Sequence, residues 1–187
     1  MKKIILTFGL ISGVLSSLMM IATVPFMHQI SPARGLIYGY TCMVLSFLLV
    51  YFGIRSYRDN VGGGHITFGR AFTIGLAITV ISCLFYVGTW EIIYFKFLPH
   101  FMDDYGAHII ARMQQSGASA AAIQAKTAEL AKQAQDYNNP LINMAMTFIE
   151  PFPVGLLITL LSATILRRRA PAEAGAPAAR GAASASV

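Results

Sequence analysis

Charged residues are scarce in this chain. Only 12% of its 187 residues are Asp, Glu, Lys or Arg, about half the share found in an ordinary soluble domain, whereas 56% are hydrophobic. This balance excludes a disordered protein, a collagen-like fibre and a typical cytosolic enzyme. The apolar residues are gathered into blocks of roughly 20 or more, the length needed to cross ~30 Å of hydrocarbon. The sequence therefore predicts an integral membrane protein.

Catalytic motifs are missing as well. The chain has no Gly-x-Ser-x-Gly, no His-Glu-x-x-His and no paired intramembrane Asp, so neither a serine hydrolase nor an intramembrane protease is indicated. The two cysteines, Cys42 and Cys83, fall inside apolar blocks and are interpreted as packing residues. We therefore predict a protein that is not an enzyme and has no catalytic residue, cofactor or metal site.

The net charge of +6 raises the question of nucleic acid. The basic residues, however, lie at the ends of the apolar blocks, as in Lys2 and Lys3 or Arg167 to Arg169, and no basic stripe with interleaved aromatic residues is present. Basic residues in these positions set the orientation of a membrane protein and contact lipid headgroups. The predicted partner is thus the lipid bilayer, and nucleic acid is excluded.

Four apolar blocks predict an all-α fold, a bundle of four transmembrane helices. The first block is too long for a signal-peptide core and lacks a cleavage site, so it is interpreted as a retained helix. Residues 55–69, with three consecutive glycines, are predicted to be a loop in which Thr67 is a candidate helix cap. Pro151 and Pro153 predict a kink or break in the last helix. The predicted helices cover residues 4–27, 35–54, 70–98 and 141–166 of a single membrane domain, residues 1–169.

The segment 99–140 is predicted to be a short helical insertion between the third and fourth helices. Within it, Ser119 to Tyr137 has the composition of a good helix, and its apolar residues recur every seven positions. Such a helix can lie on the membrane or the bundle, or it can bind a partner or gate a substrate. Residues 170–187, rich in alanine and proline, are predicted to form a disordered tail.

The distribution of Lys and Arg predicts the orientation. Most basic residues lie on the side shared by the N-terminus, the loop 55–69 and the C-terminus, whereas those on the other side are diluted by acidic residues. Because basic residues favour the cytoplasmic side, both termini and the tail are predicted to be cytoplasmic and the insertion extracytoplasmic.

Small residues four positions apart occur in every block. They include Gly9 and Gly13, Gly35 and Gly39, Gly75, and Gly155. In lipid, such ridges allow helices to approach closely and so improve their packing. The same ridges can also mediate homo-oligomerisation or contact another membrane protein.

Two acidic residues, Glu91 and Glu150, fall inside apolar blocks. Glu91 lies 21 residues from Arg70 and Glu150 lies 17 residues from Arg167, which corresponds to ~31 and ~25 Å of helix and places both in the outer leaflet. Because charges are costly at membrane depth, both are candidate functional residues. With His28, Arg34 and His100 near the same level, they define a candidate polar cluster. Ion pairing near the interface is the structural alternative.

Three stretches of the chain resemble a bacterial membrane family, the domain of unknown function 4199. They are Gly53 to Phe72, Ser116 to Ser119 and Tyr137 to Arg169, and the resemblance spans roughly residues 3–169. It implies a small multi-pass protein of the bacterial inner membrane, and it supplies no activity, substrate or site residue.

Two functions are predicted. The first is a non-enzymatic scaffold or accessory subunit that acts through helix contacts. The second is a small oligomeric transporter or channel that uses Glu91 and Glu150. A water-accessible cavity that reaches these carboxylates favours transport, whereas tight packing around them favours the scaffold.

Overall fold

The computed structural model describes residues 1–26 and 32–168, and within these residues the fold is all-α without a strand. The predicted tail, residues 170–187, and the predicted site residue His28 lie outside the described residues. The helices are α1 (Lys2–Thr23, continued by a 3-10 turn Val24–Phe26), α2 (Pro32–Asn60), α3 (Phe68–Ile92, continued by a π-helical turn Ile93–Phe97), α4 (Phe101–Gln115), α5 (Ala120–Tyr137), α6 (Pro140–Ile149) and α7 (Pro151–Leu166).

Four helical segments are long and apolar enough to cross a membrane, which confirms the number predicted from the sequence. They are Lys2–Phe26, Arg34–Asn60, Phe68–Phe97 and Pro140–Leu166, and they contain 25 to 30 residues each. A helix needs about 20 residues to span the hydrocarbon core, so each segment is long enough even when tilted.

Many large apolar side chains point outward, whereas the buried interior combines large apolar residues such as Ile74 and Ile78 with small and hydroxylated ones. Leu157 and Ile165 of α7 are 57% and 68% exposed, whereas Thr159 on the same helix is completely buried. This distribution is unfavourable in water, where exposed apolar surface costs about 25 cal/mol per Å². In lipid it is favourable, because the outer face contacts acyl chains and the inner face allows close packing.

Helices α1 and α7 lie on opposite sides of a central pair, α2 and α3, and each packs against both members of that pair. Hydroxyl groups hydrogen-bond between these helices: Thr79 and Thr159 lie 3.0 Å apart between α3 and α7, and Ser12 donates to the carbonyl of Ser46 on α2 at 2.9 Å. Bonds of this kind contribute about 0.6 kcal/mol each in membrane proteins.

Four of the six predicted packing glycines lie at close helix contacts. A Cβ at Gly13 would lie 2.7 Å from Cβ of Phe85, one at Gly9 2.9 Å from Ile81, and one at Gly75 2.8 Å from Thr159. At Gly155 a Cβ would meet Thr79 and the ring of Phe47. At Gly35 and Gly39 it would meet nothing within 4 Å, so these two glycines are not at a close contact within the described chain.

The second helix is longer than predicted. Residues 55–60, which the sequence analysis placed in a loop, continue α2 for more than a turn. Their polarity hid the helix, but Tyr57 is buried and Arg55 pairs with Asp59 at 3.5 Å across one turn. The turn itself uses Gly63 and Gly64, whose φ angles of 58° and 83° disfavour other residues. The predicted cap is confirmed, since Thr67 accepts a hydrogen bond from the amide of Arg70.

Residues 99–140 contain two helices, α4 and α5, where a single helix, Ser119 to Tyr137, was predicted. The two pack side by side, and Gly117, at φ 75°, lies in the turn between them. Helix α4 escaped prediction because its polar residues interrupt the apolar pattern. Asp103 and Asp104 nevertheless occupy its first turn, where negative charge stabilises a helix.

The last apolar segment is broken at Glu150, as the prolines predicted. Helix α6 ends at Ile149 and α7 begins at Pro151. Proline has no amide hydrogen, so Pro151 cannot donate to the carbonyl of Thr147. Pro151 and Pro153 also remove two of the amide groups in the first turn of α7, so fewer donors are left without a partner at this break.

Candidate functional site

A cavity of about 310 Å³ lies beside the junction of α6 and α7. It is bounded by the end of α1, the end of α3 and the α4–α5 pair. Helix α1 packs against α2 and α3 but, among the described residues, not extensively against α6 or α7, so a gap is left between α1 and the broken helix. We call this space the Glu150 cavity.

Glu150 is the single charged side chain among the described residues that line this cavity. It occupies the break between α6 and α7, and its side chain is not covered by neighbouring helices. The hydroxyl group of Tyr86 on α3 donates a hydrogen bond to Oε2 of Glu150 at 3.3 Å. A carboxylate has about four acceptor positions, so this bond leaves most of them open toward the cavity.

Aromatic rings form two walls of the cavity. Tyr86 and Trp90 lie four residues apart on α3, and Phe101 and Tyr105 lie four residues apart on α4, so each pair shares one helix face. The ring of Phe101 packs edge to face on Trp90, with 5.2 Å between the ring centroids, and stacks on Tyr105, with 6.1 Å between the ring centroids. Tyr137, at the end of α5, supplies a fifth ring.

A buried amide links the α5 and α6 sides of the cavity. Asn143 is fully buried; its side chain donates to the carbonyl of Tyr137 at 3.1 Å and accepts from the hydroxyl of Thr147 at 3.1 Å. Both of these neighbours line the cavity. Burial raises the pKa of the Tyr137 phenol, and the nearby charge of Glu150 raises it further, so the phenol is neutral at physiological pH.

A second, smaller cavity of about 70 Å³ lies between α1, α2 and Tyr86 of α3, and we call it the inner cavity. The side chains of Met20, Thr23, Tyr86 and Glu150 line both cavities. The carboxylate and its tyrosine partner therefore stand at the boundary between the two spaces.

Of the predicted cluster residues that the structure describes, Glu91, Arg34 and His100 do not join Glu150. Among the described residues, no hydrogen bond or ion pair connects Glu91 with Glu150, and Glu91 does not line the Glu150 cavity. Instead, Oε1 of Glu91 is buried without a hydrogen-bond partner. Arg34 is exposed at the start of α2. His100 is largely exposed and lies 3.7 Å from Asp103.

The geometry of α3 explains why Glu91 and Tyr86 diverge. Successive residues of an α-helix are rotated by about 100°, so Glu91 lies about 140° around the axis from Tyr86. Depth along the helix, which the sequence analysis used, places Glu91 and Glu150 at a similar level. It says nothing about the direction in which each side chain points.

A model of the family described as "Protein of unknown function (DUF4199)" matches residues 7–168. The chain belongs to this family. The match includes all the described residues that line the Glu150 cavity of this DUF4199 protein. Neither the curated proteins nor the solved structures contain a match.

The aromatic lining was not predicted as part of a site. Amphipathic rings are common where a membrane helix reaches the interface, so the rings at the end of the third block do not by themselves indicate a site. Their spacing held a further signal, because Tyr86 and Trp90 share a face that points away from Glu91. The α4 rings of Phe101 and Tyr105 could not be assigned to the site in this way, because α4 was not predicted.

Proposed function

We propose that this protein is a small carrier that binds its ligand in the Glu150 cavity. The observation that carries the proposal is the cavity itself, which brings a carboxylate and a set of aromatic rings together at a break in an apolar helix. A cavity of about 310 Å³ lies at the lower end of the range for small-molecule sites.

Two features favour a carrier over a static binding protein. Substrate sites of transporters are typically formed where a membrane helix is interrupted, because the interruption exposes polar groups to a cavity. Here Pro151 removes the amide that would bond to the carbonyl of Thr147, and Glu150 lies at this kink between α6 and α7, although its own backbone angles remain helical. In addition, the Glu150 cavity and the inner cavity meet at the same carboxylate, so a ligand bound to Glu150 has space on both sides.

We further propose that the carrier lies in the bacterial inner membrane with both termini in the cytoplasm and the α4–α5 pair outside. The excess of Lys and Arg on one side of the apolar segments supports this orientation. Backbone hydrogen bonds of 2.9 Å between Ile66 and Arg168 join the α2–α3 turn to the end of α7, so these basic regions share one end of the bundle. The Glu150 cavity would then open to the outside.

Thiol labelling tests whether the cavity can be reached. In a background with Cys42→Ala and Cys83→Ala, Thr23→Cys places a thiol in the cavity wall and Thr41→Cys places one on the exposed face of α2. A membrane-impermeant thiol reagent added to intact cells should label the first variant at least tenfold faster, because a thiol in lipid does not ionise.

A pair of variants on α5 provides the control. Gln133→Trp fills the cavity, whereas Gln135→Trp changes an exposed residue outside it. Only the first should slow the labelling of the thiol at position 23. Equal labelling rates at positions 23 and 41, or labelling at position 23 that Gln133→Trp leaves unchanged, would contradict the proposal.

The alternative function, an accessory subunit or scaffold, is favoured by a different observation. Helices α4 and α5 pack mainly against each other and leave much of their surface exposed. A stoichiometric polypeptide that co-purifies from native membranes, and that is lost when the exposed α5 residues Gln124 and Glu129 are changed to Ala, would support this function.

A further inference from the structure

We propose that the ligand of the Glu150 cavity is a small monovalent organic cation of the alkylammonium class, an inference that rests on the proposed function and specifies its substrate.

The charge of the cavity lining favours a cation. Among the described residues that line the cavity there is one carboxylate and no Lys, Arg or His. Glu150 makes no ion pair within the described chain, and its one hydrogen bond, from Tyr86, is long at 3.3 Å. A negative group in such a site attracts a positive ligand and repels an anion.

The aromatic rings of the cavity also favour a cation. The face of an aromatic ring carries negative electrostatic potential and attracts a cation within about 6 Å, with tryptophan the most effective. Trp90 on α3 packs directly on Phe101 of α4, so the rings of the two helices form one continuous aromatic surface. This surface lines the same cavity as Glu150, so a cation that pairs with the carboxylate lies beside it. The phenol of Tyr137, which like any tyrosine is neutral at physiological pH, adds a ring without adding charge.

The donor set excludes an inorganic divalent cation as the preferred ligand. Calcium takes six to eight oxygen ligands, and magnesium requires an octahedral set. The described lining offers a single carboxylate, supplemented by the uncharged side chains of Thr23, Gln133 and Thr147. Apolar rings and the side chains of Met20 and Met102 cover most of the remaining surface, which suits a cation that carries alkyl groups.

The volume of the cavity indicates the size of the ligand. The volume of about 310 Å³ equals that of roughly ten water molecules in the liquid. A trimethylammonium or triethylammonium compound with about seven to ten non-hydrogen atoms therefore fits within it.

Trp90 makes the test direct, because it is the single tryptophan of the chain and lies in the cavity wall. Its fluorescence is measured in purified full-length protein in lipid nanodiscs during titration with three probes of one shape. Choline is the cation, 3,3-dimethyl-1-butanol its neutral isostere and 3,3-dimethylbutanoate its anionic counterpart. None of the three absorbs at the wavelengths used, so every saturable change reports on the surroundings of Trp90.

Choline should bind at least tenfold more tightly than the neutral isostere, and the anion should not bind. Glu150→Gln should raise the dissociation constant for choline tenfold or more and leave the dissociation constant for the neutral isostere unchanged. Tyr105→Leu should raise the dissociation constant for choline about threefold to thirtyfold, the range that corresponds to the loss of one cation–π contact. Glu129→Gln, a matched change of an exposed carboxylate on α5, should have no effect.

Equal binding of choline and its neutral isostere, or choline binding that Glu150→Gln does not alter, would overturn the inference. The thiol-labelling result separates this failure from failure of the proposed function. If the thiol at position 23 is reached through the cavity but choline is not preferred, the carrier proposal stands and the ligand class is wrong. If the thiol is not reached, the cavity is not the ligand site.

Discussion

The close contact between α1 and α3 at Gly13 gives a quantitative prediction. Replacing Gly13 by Ala places a methyl group 2.7 Å from Cβ of Phe85 and 2.8 Å from its Cγ. Because both of these atoms are held close to the α3 backbone, a change of rotamer cannot relieve the clash. The helices must separate by about 0.7 Å to reach 3.4 Å, where ordinary van der Waals contact begins.

Overpacking of this kind costs about 1–3 kcal/mol. Alanine also gains up to ~1 kcal/mol over glycine in a helix. Gly88→Ala measures that gain alone, since a Cβ at Gly88 meets nothing within 4 Å. We therefore expect Gly13→Ala to be about 1–3 kcal/mol less stable than Gly88→Ala, or roughly 3–10 °C lower in melting temperature.

Thermal unfolding in detergent, followed by circular dichroism on both purified variants, provides the measurement. The helix content should be the same before unfolding, because the substitution changes the spacing of the helices and not their formation. If the two variants melt at the same temperature, α1 and α3 do not pack at Gly13 in the way described here.

Three further predictions concern other parts of the chain. Gly155→Leu should lower the melting temperature well below that of Gly35→Leu, because Gly155 contacts Thr79 whereas Gly35 has open space beside it; equal losses would place both glycines in similar surroundings. Pro151→Ala restores the amide that can bond to the carbonyl of Thr147, so it should straighten the helix at Glu150. The rate at which a thiol at position 23 is labelled should then fall at least threefold. An unchanged rate would show that the cavity does not depend on this proline. A reporter that is active only outside the cytoplasm should be active after Gln115 and inactive after Asn60; the reverse pattern would invert the proposed orientation.

Much of the fold follows from features that are local in the sequence. Apolar runs of sufficient length predict the four helices, and Pro151 predicts the break, because the missing amide acts within one turn. Thr67 was identified as a cap because a hydroxyl before a helix accepts from a nearby amide. Residues 55–60 were missed because they are mostly polar, and the burial of Tyr57 within them comes from packing that polarity alone does not reveal. Helix α4 was missed because its polar residues interrupt the apolar pattern.

The site was harder to predict because it depends on helix rotation. Glu150 was identified as a candidate because it is a carboxylate in an apolar segment. Its partners come from α1, α3, α4 and α5, and no sequence spacing relates Trp90 to Tyr105 or Tyr137 across these helices. Depth alone grouped Glu150 with Glu91, whereas the direction of each side chain separates the two residues.

Uptake of radiolabelled choline into proteoliposomes tests the central claim that Glu150 is the ligand-binding carboxylate of a carrier. Vesicles containing wild-type protein or the Glu129→Gln variant should accumulate choline well above protein-free vesicles. Vesicles containing Glu150→Gln should fall to the protein-free level while the protein remains folded by circular dichroism. Uptake by Glu150→Gln at the wild-type rate would contradict the role of Glu150, and wild-type uptake no greater than that of protein-free vesicles would contradict transport of an alkylammonium cation.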